Sequence, residues 1–190
     1  MDLAALYQRS IDGFGARVAQ VRPDQWAAPT PCPGWDVRAL VNHVIGEERW
    51  AVPLFDGATI EEVGDRFAGD LLGDDPQARA ADAARQARAV VAEPGALRRT
   101  VHLSFGATPA EEYLHQLLAD HVVHSWDLAV ATGTDRHLDP DAVHAVAEWF
   151  TGREDTYRQG GVIGPRAGVP DGASEQDRLI AAFGRDPHHR

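Results

Sequence analysis

The sequence predicts an all-α protein, an up-down four-helix bundle followed by short C-terminal helices. Apolar residues recur at gaps of three and four over long stretches, which is the period of an amphipathic helix. Alanine is abundant, whereas aromatic residues make up only 7% of the chain, and this mixture favours helix over sheet. A chain of 190 residues can bury one hydrophobic core, so we expect a single domain over residues 1–190.

Two helices are predicted in the first part of the chain. The first covers residues 2–21, where apolar side chains follow the helical spacing, and Pro23 lies just past its end. A connector rich in proline and glycine comes next. Asp36 then occupies an N-cap position ahead of the second helix, which we expect to run to about Phe55 with a loosened turn at Pro53.

The other two long helices are predicted in the middle of the chain. Residues 76–92 are strongly helix-prone and end at a Glu-Pro-Gly sequence. Alternation in residues 97–106 predicts a short strand or an extended crossover. Residues 108–111, Thr-Pro-Ala-Glu, resemble a capping box with proline at the first helical position. The helix that follows is expected to continue to Ala131, with Gly133 as its stop.

Two smaller helices are predicted after Gly133. One opens at residues 139–140, Asp-Pro, and the last begins at Ser174 and is closed by Gly184. The glycine-rich loop between them, residues 160–172, either folds over a neighbouring pocket as a lid or extends into solvent, and its composition favours neither.

Composition and charge exclude several classes of partner. The formal net charge is −11, from 18 basic and 29 acidic residues, and no basic patch offsets it, so we expect no nucleic-acid partner. No apolar run approaches the roughly 18–20 residues that span a bilayer, and the N-terminus lacks the pattern of a signal peptide. Cys32 is the single cysteine, which excludes an internal disulfide framework. We therefore expect a cytoplasmic protein without a membrane partner.

Asp120 and His124 are the first candidate metal ligands. They are four residues apart in a predicted helix, so they lie on the same face one turn apart, a spacing at which two side chains can share one metal ion. The pattern alone is common, and the two residues could equally lie on the solvated face of the helix.

His43 is the candidate third ligand. If the second and fourth helices are neighbours in the bundle, His43 can meet Asp120 and His124 between them. Two imidazoles and a carboxylate suit zinc, and also nickel or iron(II). Three protein ligands leave an open coordination position, which is typical of a reactive site. The alternative is that His43 is a core histidine with one hydrogen-bond partner.

Three further residues have two interpretations each. Asp127 lies on the face of Asp120 and His124, where it either orients His124 or arginine side chains, or forms a surface charge or a bundle salt bridge. Glu47, one turn beyond His43, is a candidate general acid or base or a structural residue. Cys32 could be a catalytic thiolate, although a lone cysteine is most often a small buried apolar residue.

Three segments carry a resemblance to a known family. They are TPCPGWDVRALVNHVIGE around His43, DHVVHSWDLAVATG, and VPDGASEQDRLIAAFGRDP near the C-terminus. Together they resemble the DinB-like metal-binding helical bundles, and in particular the short single-domain members of the branch grouped with mycothiol-dependent maleylpyruvate isomerase.

The resemblance implies a DinB-like fold and assigns the family's metal ligands to His43, Asp120 and His124. The isomerase has Glu at the acidic position, whereas this chain has Asp120, whose side chain is shorter by one methylene. The isomerase also carries an additional C-terminal domain, so its activity is not transferred. The family is associated with low-molecular-weight thiols such as mycothiol, and its bundles often pair through helix faces, which makes a homodimer an expectation too.

The leading functional prediction is a divalent-metal-binding protein that is a thiol-dependent transferase or isomerase acting on a small electrophile. Its metal is expected to be zinc, or else nickel or iron, and its cosubstrate a thiol of the mycothiol type. Two alternatives remain open. One is a metal-dependent hydrolase, in which the metal binds water. The other is a non-enzymatic sensor or binding module whose bundle is stapled by the metal.

Overall fold

The computed structural model describes residues 2–189, and most of them are helical. The α-helices are α1 Leu3–Val18, α2 Val37–Phe55, α3 Ile60–Val63, α4 Pro76–Val91, α5 Ala110–Thr132, α6 Pro140–Phe150, α7 Glu154–Gln159 and α8 Glu175–Ala182. A small antiparallel hairpin of β1 Thr100–Leu103 and β2 Gly106–Pro109 precedes α5. The all-α prediction is therefore confirmed.

Four long helices form the bundle. α1 packs on α5 and α4, while α2 packs on α4 and α5, so each helix has two neighbours. Large side chains fill the space between them, and Tyr7, Leu40, Leu114 and Trp126 are each at most 1% exposed. The packing of α2 on α5 is the contact on which the candidate site depends, because those two helices carry the predicted ligands.

The predicted start of α2 and the predicted end of α5 are confirmed. Asp36 accepts a hydrogen bond from the backbone amide of Ala39 at 2.8 Å and caps α2. Pro53 lies inside α2, which continues to Phe55 as expected. At the other end of α5, Gly133 adopts a left-handed conformation with φ of 69°, which glycine reaches without the steric cost of a Cβ atom.

The predicted capping box at the start of α5 is wrong. Thr108 belongs to β2, and its hydroxyl donates a hydrogen bond to the carbonyl of Gly106. It does not accept a hydrogen bond from a backbone amide of the helix, as a cap would. Pro109 is the N-cap, with φ of −57° and ψ of 134° and no side-chain cap, so α5 begins at Ala110. Strand pairing of β2 with β1 prevailed over the local capping pattern. Two short helices, α3 and α7, were not predicted, although Thr59 and Glu62 form a capping box at the start of α3.

The C-terminal elements cover one side of α5. α6 packs on α5 and α8 packs on α6, with Phe150 and Phe183 stacked at 4.2 Å between ring centroids. The amide of Ala167 donates to the carbonyl of Ala181 at 3.1 Å, so the loop before α8 is tied to that helix. Gly184 has φ of 83° and lies so close to Gly164 that a Cβ atom there would be 3.1 Å from its backbone. The predicted single domain over residues 1–190 stays a prediction.

A buried ion pair joins α2 to α5 beside the candidate site. His121 Nδ1 donates to the carbonyl of Leu117 at 2.8 Å, and Nε2 lies 2.9 Å from Glu48 Oε1. His121 is 0% and Glu48 2% exposed. Burial alone would lower the pKa of His121, but the carboxylate of Glu48 outweighs it and raises that pKa. His121 follows Asp120 in α5, so the pair fixes the two helices against each other at the level of the candidate ligands.

Removing one member of this pair is expected to destabilise the fold strongly. In His121→Leu the carboxylate of Glu48 stays buried without a partner, so we expect the free energy of unfolding in urea to fall by about 3–5 kcal/mol. The double variant Glu48→Leu/His121→Leu should recover most of that loss, because no charge remains buried.

The exposed pair of His144 and Glu175 provides the matched control. His144→Leu should change the free energy of unfolding by less than about 1 kcal/mol. A similarly small effect of His121→Leu would show that the buried pair does not hold α2 and α5 together.

Candidate metal centre

A cavity of about 640 Å³ opens between α2, α5 and the C-terminal elements. The connector before α2 contributes Pro31, Cys32, Pro33 and Trp35, and α2 contributes His43 and Glu47; α5 contributes Tyr113, Gln116, Leu117, Ala119, Asp120, Val123 and His124; the remaining lining residues are Trp149, Tyr157, Val162, Ile163, Gly164, Pro165, Phe183, Gly184 and Arg185. Its volume is in the range of small-molecule sites. Of the two alternatives for the loop over residues 160–172, the structure supports the first for residues 162–165, which lie over the cavity.

The three predicted ligands meet at the wall of this cavity. Asp120 Oδ1 lies 3.2 Å from His43 Nε2 and 3.2 Å from His124 Nε2. One ligand atom from each residue lies within 4.8 Å of the other two. Packing of α2 on α5 thus brings together residues 77 positions apart in the chain.

One oxygen of Asp120 shows that these residues fit a cation. Asp120 Oδ2 is buried, and no hydrogen-bond donor among residues 2–189 reaches it. A buried carboxylate oxygen without a partner carries a desolvation cost that a bound cation would offset. Two imidazole nitrogens and a carboxylate are ligands that zinc, nickel and iron(II) share. The residues present therefore fit a divalent metal.

The carboxylates of Asp120 and Asp127 favour a positive charge at His124. Burial alone would raise the pKa of Asp120, but the imidazoles of His124 and His43 outweigh it and hold that pKa well below its usual range. Burial alone would lower the pKa of His124, yet Asp120 and Asp127 raise it well above its usual range. The positive charge that these carboxylates stabilise can be supplied by a proton or by a metal cation.

Asp127 fixes the orientation of His124. Its Oδ2 atom lies 3.0 Å from His124 Nδ1 and accepts the proton on that nitrogen. The other ring nitrogen, Nε2, is then directed at Asp120. Asp127 is fully buried and is held in turn by Arg185, whose Nη2 donates to the same oxygen at 2.9 Å. Asp127 therefore contacts both His124 and an arginine, which supports its interpretation as the acid that orients such side chains.

Cys32 lies behind His124 in a polar setting. Its thiol donates to Asp127 Oδ2 at 3.2 Å and receives a hydrogen bond from Arg185 Nη2 at 3.1 Å. Cys32, His124 and Asp127 form a second group of potential metal ligands. The guanidinium of Arg185 already neutralises that group, and His124 Nδ1 is engaged by Asp127. A cation bound there would face a fixed positive charge, so the group of His43, Asp120 and His124 is the better site.

Aromatic and acidic side chains complete the surroundings of the three ligands. Trp35 packs against His43 and His124, with ring centroids 4.9 and 5.8 Å apart. Glu47 lines the same cavity, and burial together with the carboxylate of Asp120 raises its pKa. Trp126 is 1% exposed and does not line the cavity, so its role is bundle packing.

Arg185 is the part of the site that sequence reasoning missed. It lies 58 residues after Asp127 and 153 after Cys32, beyond the last helix, and no spacing rule connects them. Cys32 is buried within an apolar cluster, as one of its two interpretations had it, and its thiol makes polar contacts as well.

Within residues 2–189, no helix combines the length and the apolar composition needed to cross a membrane. No solved structure matches the chain significantly. Two relatives are uncharacterized proteins of Mycobacterium tuberculosis, MT0763 of strain CDC 1551 / Oshkosh and Rv0738 of strain ATCC 25618 / H37Rv. Each is 35% identical over 146 residues, which cover 74% of this chain and 73% of the relative.

A family profile also matches the chain over residues 7–129, which include all three candidate ligands and Asp127. The profile describes the mycothiol maleylpyruvate isomerase N-terminal domain. Its match and the clustered ligands together support a divalent metal and a function related to mycothiol. Because the match covers well over half of the sequence, the chain belongs to the family of the mycothiol maleylpyruvate isomerase N-terminal domain.

Proposed function

We propose that His43, Asp120 and His124 hold a divalent metal, and that the protein transfers a low-molecular-weight thiol to a small electrophile or isomerises such an electrophile. The observation that carries this proposal is the carboxylate of Asp120, whose Oδ1 atom lies 3.2 Å from both imidazoles while its buried Oδ2 atom has no hydrogen-bond partner among residues 2–189. A bound divalent metal supplies Lewis acidity that favours the thiolate form of a cosubstrate thiol at neutral pH. Zinc fits the ligand set, and nickel and iron(II) fit it as well.

The residues around the ligands have distinct roles in this proposal. Asp127 accepts the Nδ1 proton of His124, so that Nε2 is the nitrogen that would bind the metal. Burial alone would raise the pKa of Asp127, but His124 and Arg185 hold that pKa below its usual range, and Arg185 also keeps the carboxylate in place. Glu47 is the cavity acid that no ion pair engages within residues 2–189, and we assign to it the proton released by the thiol.

The cavity favours this proposal over a purely structural metal. A metal that only stapled the bundle would be enclosed by protein ligands, as in closed four-coordinate sites. Here the three ligand residues line a cavity of about 640 Å³, large enough for a small molecule beside them. The hydrolase alternative uses the same residues but activates water instead of a thiol. An experiment that compares the two reactions therefore distinguishes it from the thiol reaction.

The first prediction about the proposed function concerns the number of metal ions bound per chain. The metal-free protein should bind about one zinc ion per chain, measured by elemental analysis after dialysis and by calorimetric titration. His43→Ala should weaken binding by more than about 100-fold, beyond the loss typical of outer contacts, because it removes a ligand. His144→Ala, which removes an exposed histidine, is the matched control. Unchanged zinc affinity in His43→Ala would exclude this site.

The second prediction concerns Asp127. Asp127→Asn keeps the shape of the side chain but removes the charge that orients and polarises His124, so zinc affinity should fall by about 10–100-fold. Asp141→Asn, at an exposed acid of α6, is the control. Equal zinc affinities in the two variants would show that Asp127 has no role in metal binding.

The third prediction separates thiol chemistry from hydrolysis. The cobalt(II)-substituted protein should develop a thiolate-to-metal charge-transfer band when a low-molecular-weight thiol is added, and His43→Ala should not. The protein should then consume thiol when a small electrophile is supplied. Hydrolysis of esters or amides at an equal rate without any thiol, and no charge-transfer band, would contradict the proposal and favour the hydrolase.

A further inference from the structure

The turn at the end of α8 places a guanidinium beside the candidate metal centre. The backbone amide of Arg185 donates to the carbonyl of Ile180 at 3.1 Å, and its Nη1 atom donates to the carbonyl of Phe183 at 2.8 Å. These two hydrogen bonds hold the Arg185 side chain against its own turn. The place of this guanidinium in the cavity therefore depends on where the end of α8 lies.

The same guanidinium reaches the candidate ligands through Asp127. The Nε atom of Arg185 donates to Asp127 Oδ1 at 3.3 Å, and Nη2 donates to Oδ2 at 2.9 Å. Asp127 Oδ2 in turn lies 3.0 Å from Nδ1 of His124. The side chain of Asp127 is 0% exposed and that of Arg185 14%, so little water competes for these contacts. A displacement of Arg185 would change the orientation of Asp127, and with it that of His124.

On its other side, the turn contacts the loop over residues 160–167, which we call the cover loop because part of it lines the cavity. The amide of Ala167 donates to the carbonyl of Ala181 at 3.1 Å. A Cβ atom at Gly184 would lie 3.1 Å from the backbone of Gly164, so these two backbones pack with no side chain between them. The turn that holds the guanidinium thus also holds the cover loop.

From these contacts we infer that Arg185 is a positioning residue that couples the cover loop to the metal centre. The metal binds more tightly when the loop is closed, and the loop opens less often when the metal is bound. The two effects have the same size, because a coupling free energy between two sites is reciprocal. The inference rests on the proposed metal site and goes beyond it, since a metal could bind the three ligands without any response of the loop.

The first test removes the guanidinium. Arg185→Met keeps a long, unbranched side chain, and its zinc affinity in calorimetric titration should be about tenfold lower, as for other contacts behind a metal ligand. Arg166→Met is the matched control, because it removes an exposed guanidinium that pairs with Glu154 in the same part of the chain. This control should bind zinc as the starting protein does. Unchanged zinc affinity in Arg185→Met would overturn the inference.

A double variant shows whether Arg185 acts through Asp127. In Asp127→Asn the guanidinium has no carboxylate to hold, so adding Arg185→Met should change zinc affinity by less than about twofold. A merely structural role would instead add a second loss to the first. A further tenfold loss in the double variant would therefore contradict the assignment of Arg185 as a positioning residue.

Hydrogen exchange measures the reciprocal effect on the cover loop. The amide of Ala167 should exchange about tenfold more slowly when zinc is bound, and zinc should have no such effect in Arg185→Met. The amide of Ala92, which donates to the carbonyl of Arg88 at the end of α4, is the control for a general stabilisation. Equal exchange of Ala167 with and without zinc in the starting protein would exclude the coupling.

A glycine variant perturbs the coupling from the side of the loop. Gly184 has φ of 83°, and the methyl group of Gly184→Ala would press on the backbone of Gly164, so the turn or the cover loop must shift. Zinc affinity should fall although no charged residue has changed. Gly168→Ala is the matched control, because a Cβ atom there meets no atom of residues 2–189 within 4 Å. Equal zinc affinities in the two variants would contradict the inference.

These experiments and the test of the metal site fail separately. Zinc binding that is lost in His43→Ala and unchanged in Arg185→Met would keep the proposed metal site and remove the coupling. A starting protein that binds no zinc would remove the proposed function, and the coupling with it.

Discussion

The carboxylate of Asp120 between two imidazoles is the interaction on which the site depends. His124 belongs to the same helix and would face Asp120 in any helical context, whereas His43 reaches it only because α2 packs on α5. The bundle therefore combines a common helical spacing with a third side chain to form a cluster of three candidate ligands. This arrangement leaves the Oδ2 atom of Asp120 buried without a hydrogen-bond partner among residues 2–189. Such an atom carries a desolvation cost that apolar packing does not offset.

Much of this arrangement could be predicted from the sequence because its causes are local. Apolar spacing and aspartate caps determine the long helices, and the four-residue gap places Asp120 beside His124. The start of α5 could not be predicted by the same means, since pairing of β2 with β1 took Thr108 and Pro109 out of the helix. The polar contact of Cys32 with Arg185 was equally inaccessible, because it joins opposite ends of the chain.

The two parts of the cavity come from different regions of the chain. The candidate ligands His43, Asp120 and His124 lie within residues 7–129, the part that matches the family. The lining residues Trp149, Tyr157, Ile163, Phe183 and Arg185 lie after that region, in the C-terminal elements. In our account the metal chemistry depends on the family segment, and the C-terminal elements complete the cavity beside it.

The most direct test of the central claim is zinc X-ray absorption of the metal-loaded protein. Cys32 is the only cysteine of the chain, so any sulfur bound to zinc in the absence of added thiol must come from that side chain or from Met1. Our account predicts only nitrogen and oxygen neighbours in the thiol-free protein, with one sulfur appearing when a low-molecular-weight thiol is added. A zinc–sulfur distance near 2.3 Å without added thiol, lost in Cys32→Ser, would place the metal on Cys32 and contradict it.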